Sequence, residues 1–152
     1  MENEQLKRAK KLKMIFLAAW WSCMALGLLG SMSYDWWAPE HITATQANVV
    51  CIILGLVCFA QAFFEGRFDA LSSGTLSTEQ YADRKMLAKR GTIFFGVIVV
   101  LLAIGSIAGL LKSGEVGAAA IPGMIFFFVA FGTNRWLWEA FWLKRLGKIE
   151  TA

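Results

Sequence analysis

The sequence predicts an all-α membrane protein with four transmembrane helices, arranged as two hairpins with both termini in the cytoplasm. Of its 152 residues, 57% are hydrophobic, these residues are concentrated in four blocks, and the basic residues flank the blocks almost entirely on one side. Soluble proteins contain roughly 45–50% apolar residues. We therefore expect residues 1–152 to form a single transmembrane domain whose surplus apolar surface is covered by lipid.

The first two predicted spans are residues 14–33 and 47–64, and neither contains a charged residue. A helix that crosses hydrocarbon needs about 20 mainly apolar residues. Hydrophobicity is continuous in both blocks rather than alternating, which favours helices over barrel strands. Basic residues precede the first block, as in a secretory signal, but no small-x-small cleavage site follows it. It is therefore expected to remain as a signal anchor.

The connector between the two hairpins, residues 65–90, is predicted to be cytoplasmic. Residues 70–76 are predicted to form a loop. Ser77 and Gln80 have the spacing of a capping box. A short cytoplasmic helix is therefore expected to begin at Thr78 and to lead directly into the third span.

The third and fourth predicted spans are residues 91–111 and 118–138. The third contains no charge, whereas polar residues appear in the fourth only from Thr133 onwards. Pro122, near the start of the fourth span, is expected in the first turn of a helix, where its missing N–H removes no hydrogen bond.

The distribution of basic residues predicts the orientation. Fourteen of the fifteen Lys and Arg residues lie in the N-terminal segment, in the connector, or at and beyond the end of span four; the exception is Lys112. By the positive-inside rule these regions are cytoplasmic. We expect a multi-pass protein of the bacterial inner membrane, whose N-terminal segment is either a surface helix attracted to anionic lipid or a frayed tail.

Small residues recur at every fourth position on span one, and span three carries a GxxxG pattern. Within lipid, such residues allow helix backbones to approach closely. We expect them to join helices within the bundle; an interface with another subunit is the alternative. The predicted helix-packing residues are Ala19, Cys23, Gly27, Ser31, Gly105 and Gly109.

Tryptophan residues are predicted to mark the two membrane–water interfaces, because indole rings concentrate at headgroup level. The predicted interface anchors are Trp36 and Trp37 on the outer side and Trp136, Trp138 and Trp142 on the inner side.

A polar cluster is predicted at the cytoplasmic ends of spans two and four, formed by Gln61, Glu65, Asn134, Arg135 and Glu139. Ionisable groups in a span are costly and are therefore functional candidates. Because Arg135 and Glu139 are four residues apart, they can pair on one helix face. The simplest interpretation is an interfacial salt bridge with aromatic anchors. The alternative is a site open to the cytoplasm that binds an anion, a proton or a partner's loop.

The two halves of the chain share a short pattern. Gln61 and Glu65 enclose three apolar residues, as do Arg135 and Glu139. The pattern is compatible with a parallel duplication of one hairpin, or with interface chemistry common to both hairpins.

The sequence offers no catalytic, metal or cofactor site. His41, the single histidine, lies near Asp35 and Glu40, but their spacing matches no metal-ligand motif. Phosphate-binding loops, nucleophile triads and nucleic-acid motifs are missing too. We therefore expect a non-enzymatic subunit, assembly factor or regulator of a larger membrane complex. Its partners would be the bilayer and other membrane subunits or a second copy. A small oligomeric transporter or channel using the polar cluster is the alternative.

Overall fold

The structure is a computed structural model that describes residues 2–32, 44–113, 121–132 and 135–150. Within these ranges the chain is helical, with one isolated β-bridge between Leu76 and Ile149, and the all-α prediction is confirmed. The helices are α1 (Glu2–Met32), α2 (Ala44–Ser72), α3 (Thr78–Ser113), α4 (Ile121–Gly132) and α5 (Arg135–Arg145).

Two of these helices are long and apolar enough to cross a membrane. The qualifying stretches, judged by length and composition, are Asn48–Ser72 in α2 and Thr78–Gly105 in α3. The stretch Gly123–Gly132 in α4 is apolar but shorter. The structure therefore supports membrane-spanning helices in the middle of the chain.

The predicted start of α3 is confirmed in detail. The backbone N–H of Ser77 donates to Oε1 of Gln80 at 3.1 Å, and the N–H of Gln80 donates to Oγ of Ser77 at 3.3 Å. This reciprocal pair is a capping box. From Thr78 a single helix continues to Ser113, so the helix before the predicted third span and the span itself are one element.

Two helices are longer at their polar ends than predicted. α1 begins at Glu2, so the N-terminal segment is a helix and not a frayed tail; its Ala9 is only 2% exposed, whereas most of the residues around it are exposed. α2 continues to Ser72, although a loop was predicted from residue 70. The reason is that Ala70 is completely buried, and burial there favours the helical turn that the local sequence alone does not indicate.

The predicted fourth span corresponds to α4 and the start of α5; residues 133–134 lie outside the described residues. Pro122 is in the first turn of α4, as predicted. The next amide, the N–H of Gly123, donates to Oδ1 of Asn48 at 2.8 Å. A side chain of α2 thus satisfies one of the amides that the first turn of a helix leaves unpaired.

The helices are arranged in the order α1, α2, then α4 with α5, then α3. α2 packs against α1, α4 and α5, and α3 packs against α4 and α5. In the part of the chain that the structure describes, no Cα atom of α1 lies within 8 Å of one in α3, α4 or α5. These helices therefore form an open row rather than a closed bundle in which each helix would contact two neighbours.

The end of the described chain ties the connector to α5. The amide of Leu76 donates to the carbonyl of Lys148 at 3.0 Å, and the amide of Glu150 donates to the carbonyl of Leu76 at 2.9 Å. Nζ of Lys148 donates to the carbonyls of Leu71 and Ser73 at 2.9 and 2.7 Å. We call residues 148–150 the C-terminal strap, because they hold the end of α2 and the start of α3 together.

Candidate functional site

Glu65, on α2, is the centre of the predicted polar cluster. Its Oε1 lies 3.1 Å from Nη1 of Arg135 on α5 and 3.7 Å from Nζ of Lys13 on α1. Its Oε2 accepts a hydrogen bond from Nε2 of Gln61. The Glu65 side chain is only 15% exposed, so both of its oxygens are engaged in a largely buried setting.

Lys13 extends the cluster along α1. Its Nζ lies 3.4 Å from Oδ1 of Asp69, one turn beyond Glu65 on α2, and 4.6 Å from the centroid of the Phe68 ring. The ring of Phe16 stacks on that of Phe64, with centroids 4.7 Å apart. Ion pairs and aromatic contacts therefore join α1 to α2 at this level.

Glu139, on α5, forms a second buried ion pair. One of its oxygens, Oε2, lies 3.2 Å from Nη1 of Arg84 on α3, and the carboxyl side chain is 3% exposed against 44% for Arg84. Glu139 lies just beyond the fourth predicted span. Burial raises the pKa of its carboxyl group, and the charge of Arg84 opposes this shift.

The predicted pairing of Arg135 with Glu139 is not what the structure shows. Arg135 pairs with Glu65, and Glu139 pairs with Arg84. A pair four residues apart on one helix contributes about 0.2–0.5 kcal/mol. Hydrogen bonds to buried charged groups contribute about 1.5–3 kcal/mol. Each side chain therefore gains more by reaching a partner on a neighbouring helix.

The two ion pairs occupy corresponding places in the two hairpins. In each, a glutamate on the second helix meets a cation on the first: Glu65 meets Lys13, 52 residues earlier, and Glu139 meets Arg84, 55 residues earlier. The row also places the second helices of both hairpins at its centre. This correspondence extends the short pattern found in the sequence to the spatial arrangement.

An open cleft of about 270 Å³ lies beside the polar cluster. All five helices contribute to it. One end is polar, and its other walls are mainly apolar and aromatic. Its lining residues are Trp20, Cys58, Gln61, Ala62, Glu65, Phe95, Phe131, Arg135 and Trp136.

The predicted inner tryptophans occupy different settings. Trp136 lines the cleft. Trp138 packs edge to face on Phe63, with centroids 4.9 Å apart. The guanidinium carbons of Arg67 and Arg145 lie 5.1 and 5.4 Å from the centroid of the Trp142 ring. Trp36 and Trp37 lie outside the described residues, and the interface role of all five tryptophans stays a prediction.

The predicted packing residues are distributed over two helices. Ala19 and Cys23 are half-buried on α1, which also contains Gly27 and Ser31. Gly109 lies in α3. A Cβ atom added at Gly105, on the same helix, would meet nothing within 4 Å.

Close packing also occurs on α2, which carries a stripe of small residues that was not predicted from the sequence. Cys58, Ala62, Gly66 and Ala70 recur at every fourth position, and all four are buried. A Cβ atom at Gly66 would lie 2.6 Å from Cβ of Trp138 on α5, so only glycine fits there. The signal was the same four-residue spacing that singled out α1.

The remaining members of the site are three residues that the sequence did not single out: Lys13, Asp69 and Arg84. The predicted Asn134 lies outside the described residues, as do His41, Asp35 and Glu40. The described residues contain no group of three potential metal ligands. Chemically, the cluster offers paired charges and two half-exposed guanidinium groups, those of Arg84 and Arg135, of which only Arg135 lines the cleft.

Comparison with known proteins gives no match to a protein-family model, to a curated protein or to a solved structure.

Proposed function

We propose that the chain is a non-enzymatic integral membrane protein that acts as a subunit, assembly factor or regulator of a larger membrane complex. In this proposal it crosses a bacterial inner membrane four times, with both termini in the cytoplasm. The observation that carries it is the exposed apolar surface of α3, at the edge of the row of helices.

α3 contributes little of its apolar surface to the fold of its own chain. Only 6% of its most apolar stretch is buried, against 22% for α2. Phe94 and Leu101 are both 63% exposed. A helix at the edge of an open row can be covered by lipid or by another protein. Two exposed glycines with open space, Gly96 and Gly105, favour a protein, because small residues permit close contact between helices.

The polar cluster supports a structural role. Glu65, Asp69 and Glu139 each have a cationic partner on another helix. Paired charges hold neighbouring helices in register, whereas a transport site needs a charge that can exchange its partner. The polar cluster therefore fits a structural role within the subunit better than a transport site.

The second candidate is a small oligomeric transporter or channel. The observation that favours it is the cleft, which brings Gln61, Glu65 and Arg135 together beside apolar walls. On this reading Glu65→Gln or Glu139→Gln would abolish flux in liposomes, and the purified protein would be a discrete homo-oligomer.

Association is tested by purifying the tagged chain from its source membrane in mild detergent and weighing the intact complexes by native mass spectrometry. We expect stoichiometric partner proteins with the unchanged chain. Gly105→Leu should reduce the recovered partner about tenfold or more, equivalent to about 1.4 kcal/mol of binding free energy. The leucine would occupy space that is open in the isolated chain and would separate the two helices.

The matched control is Gly74→Leu, since Gly74 also has open space around it but lies in the connector. It should leave association unchanged. Equal recovery of partners with both variants would overturn the role of α3, and a pure homo-oligomer from the source membrane would favour the transporter instead.

A further inference from the structure

The lining of the cleft is polar at one end and mainly apolar along the rest, which matches an amphiphilic ligand. Its polar end is formed by Gln61, Glu65 and Arg135, and aromatic side chains such as Trp20 and Phe95 line the rest. A ligand that fills it must present a polar group at one end and hydrocarbon along the remainder.

At the polar end of the cleft, the group that still has hydrogen-bond donors to offer is the guanidinium group of Arg135. Oε1 of Glu65 already faces Lys13 and Arg135, and Oε2 accepts a hydrogen bond from Gln61. Arg135 uses Nη1 for Glu65, and 48% of its side chain is exposed. A guanidinium group has several N–H donors in a planar fork that matches phosphate geometry. The polar end is therefore suited to an anionic group.

Arg135 is also held in place for such a contact. Glu65 fixes it from one side, and its guanidinium carbon lies 5.6 Å from the Trp136 ring centroid. An arginine with a fixed side chain loses less conformational entropy when it binds a ligand. Glu65 acts here as a positioning residue, and its negative charge faces both Arg135 and Lys13, the second of which it shares with Asp69.

We propose that the cleft binds one anionic phospholipid, with the headgroup phosphate on Arg135 and an acyl chain between Trp20 and Phe95. A cationic amphiphile fits less well, because it would have to displace Lys13 or Arg135 from Glu65. The basic residues that surround the polar ends of the helices favour anionic lipid in the same way. The inference rests on the proposed placement in a bilayer, but not on association with a partner protein.

The test is native mass spectrometry of the purified chain in detergent with equal amounts of phosphatidylglycerol and phosphatidylcholine that carry the same acyl chains. We expect a one-to-one adduct with phosphatidylglycerol, at least about tenfold more abundant than that with phosphatidylcholine. Arg135→Gln should remove this preference. Trp20→Ala should weaken binding of the same lipid several-fold while the preference for its headgroup remains.

The matched control is Arg145→Gln, which removes the same charge from the same helix at a residue that does not line the cleft. It should bind lipid as the unchanged chain does. Equal binding by the Arg135→Gln variant and the unchanged chain would overturn the proposal, as would equal binding of both lipids by the unchanged chain. Displacement of the lipid by millimolar inorganic phosphate would show an anion site without a role for the acyl chain, which overturns the lipid assignment.

Two further readouts separate this inference from the proposed function. If Arg135→Gln fails to fold, Trp20→Ala carries the test, because it leaves every ion pair in place. If a variant loses the lipid adduct but still inserts into membranes and still co-purifies with its partner proteins, the result bears only on lipid binding in the cleft. Failure of the unchanged chain to insert would instead overturn the proposed membrane placement.

Discussion

Among the described residues, the buried carboxyl group of Glu139 has one ion-pair partner, Arg84, while the charge of Arg135 acts on it from further away. Arg84→Ala would leave this carboxyl group buried without its partner, which costs about 1–3 kcal/mol of unfolding free energy. We expect the melting temperature in detergent to fall, and Glu139→Gln in the same chain to restore most of it. The control is Lys85→Ala, at the exposed neighbouring position. Equal melting temperatures for Arg84→Ala and Lys85→Ala would contradict the prediction.

Glu139 also predicts a dependence on pH. Because burial raises its pKa in the folded chain, its contribution to stability is fully present below the ordinary pKa of a glutamate and is lost as the pH rises through the raised pKa. The melting temperature of Glu139→Gln, relative to the unchanged chain, should therefore increase from pH 4 to pH 8. Glu79→Gln, at an exposed glutamate of α3, is the control; a relative decrease for Glu139→Gln would show that its pKa is lowered instead.

The sequence grouped Gln61, Glu65 and Arg135, which are in contact in the structure, but it did not predict the other cationic partners of the site. Gln61, Glu65, Arg135 and Glu139 stand out because polar residues near apolar blocks are rare. Lys13 and Arg84 lie more than 50 residues from the glutamates that they contact, among other basic residues from which the sequence does not distinguish them. Only the packing of α1 on α2 and of α3 on α5 selects Lys13 and Arg84 from them.

The C-terminal end of α2 is held by a segment that lies far away in the sequence. The ammonium group of Lys148 donates to two carbonyls at the end of α2, and a charge-assisted bond contributes about 1.5–3 kcal/mol. Lys148→Ala should therefore speed hydrogen exchange of the amides in residues 70–77, as measured by mass spectrometry. Lys144→Ala, at an exposed residue of α5, should leave it unchanged. Unaltered exchange in the Lys148 variant would show that the strap does not hold this turn.

The end of a helix could be predicted from the sequence only where the residues that determine it are close together in the chain. The capping box that begins α3 lies within four residues, so sequence alone identifies it. The end of α2 is determined by the burial of Ala70 and by Lys148, and neither is visible in the local pattern.

For the whole molecule, the orientation in the membrane is the main prediction still to be tested. We expect alkaline phosphatase fused within residues 34–43 to be active in a bacterial host, because this segment would lie outside the cytoplasm. Fusions at residue 75 and at residue 150 should be inactive, since both positions would be cytoplasmic. Activity of the fusion at residue 75 would rule out the proposed four-span topology.

The arrangement of the row could not be derived from the sequence. Four apolar blocks are compatible with a closed bundle and with an open row, because lipid covers an apolar helix as readily as another helix does. The correspondence between Lys13 with Glu65 and Arg84 with Glu139 was likewise visible only in space. It relates the two hairpins by their contacts more convincingly than the five-residue pattern does.

The C-terminal strap has a consequence for the order of events during synthesis. Lys148 lies 77 residues after Leu71, whose carbonyl it binds. At translation rates of roughly 5–20 residues per second, the end of α2 waits about 4–15 s for this partner. The first two helices are therefore complete before the segment that binds the end of α2 exists, and α5 must be synthesised before the strap can join the end of α2 to the start of α3.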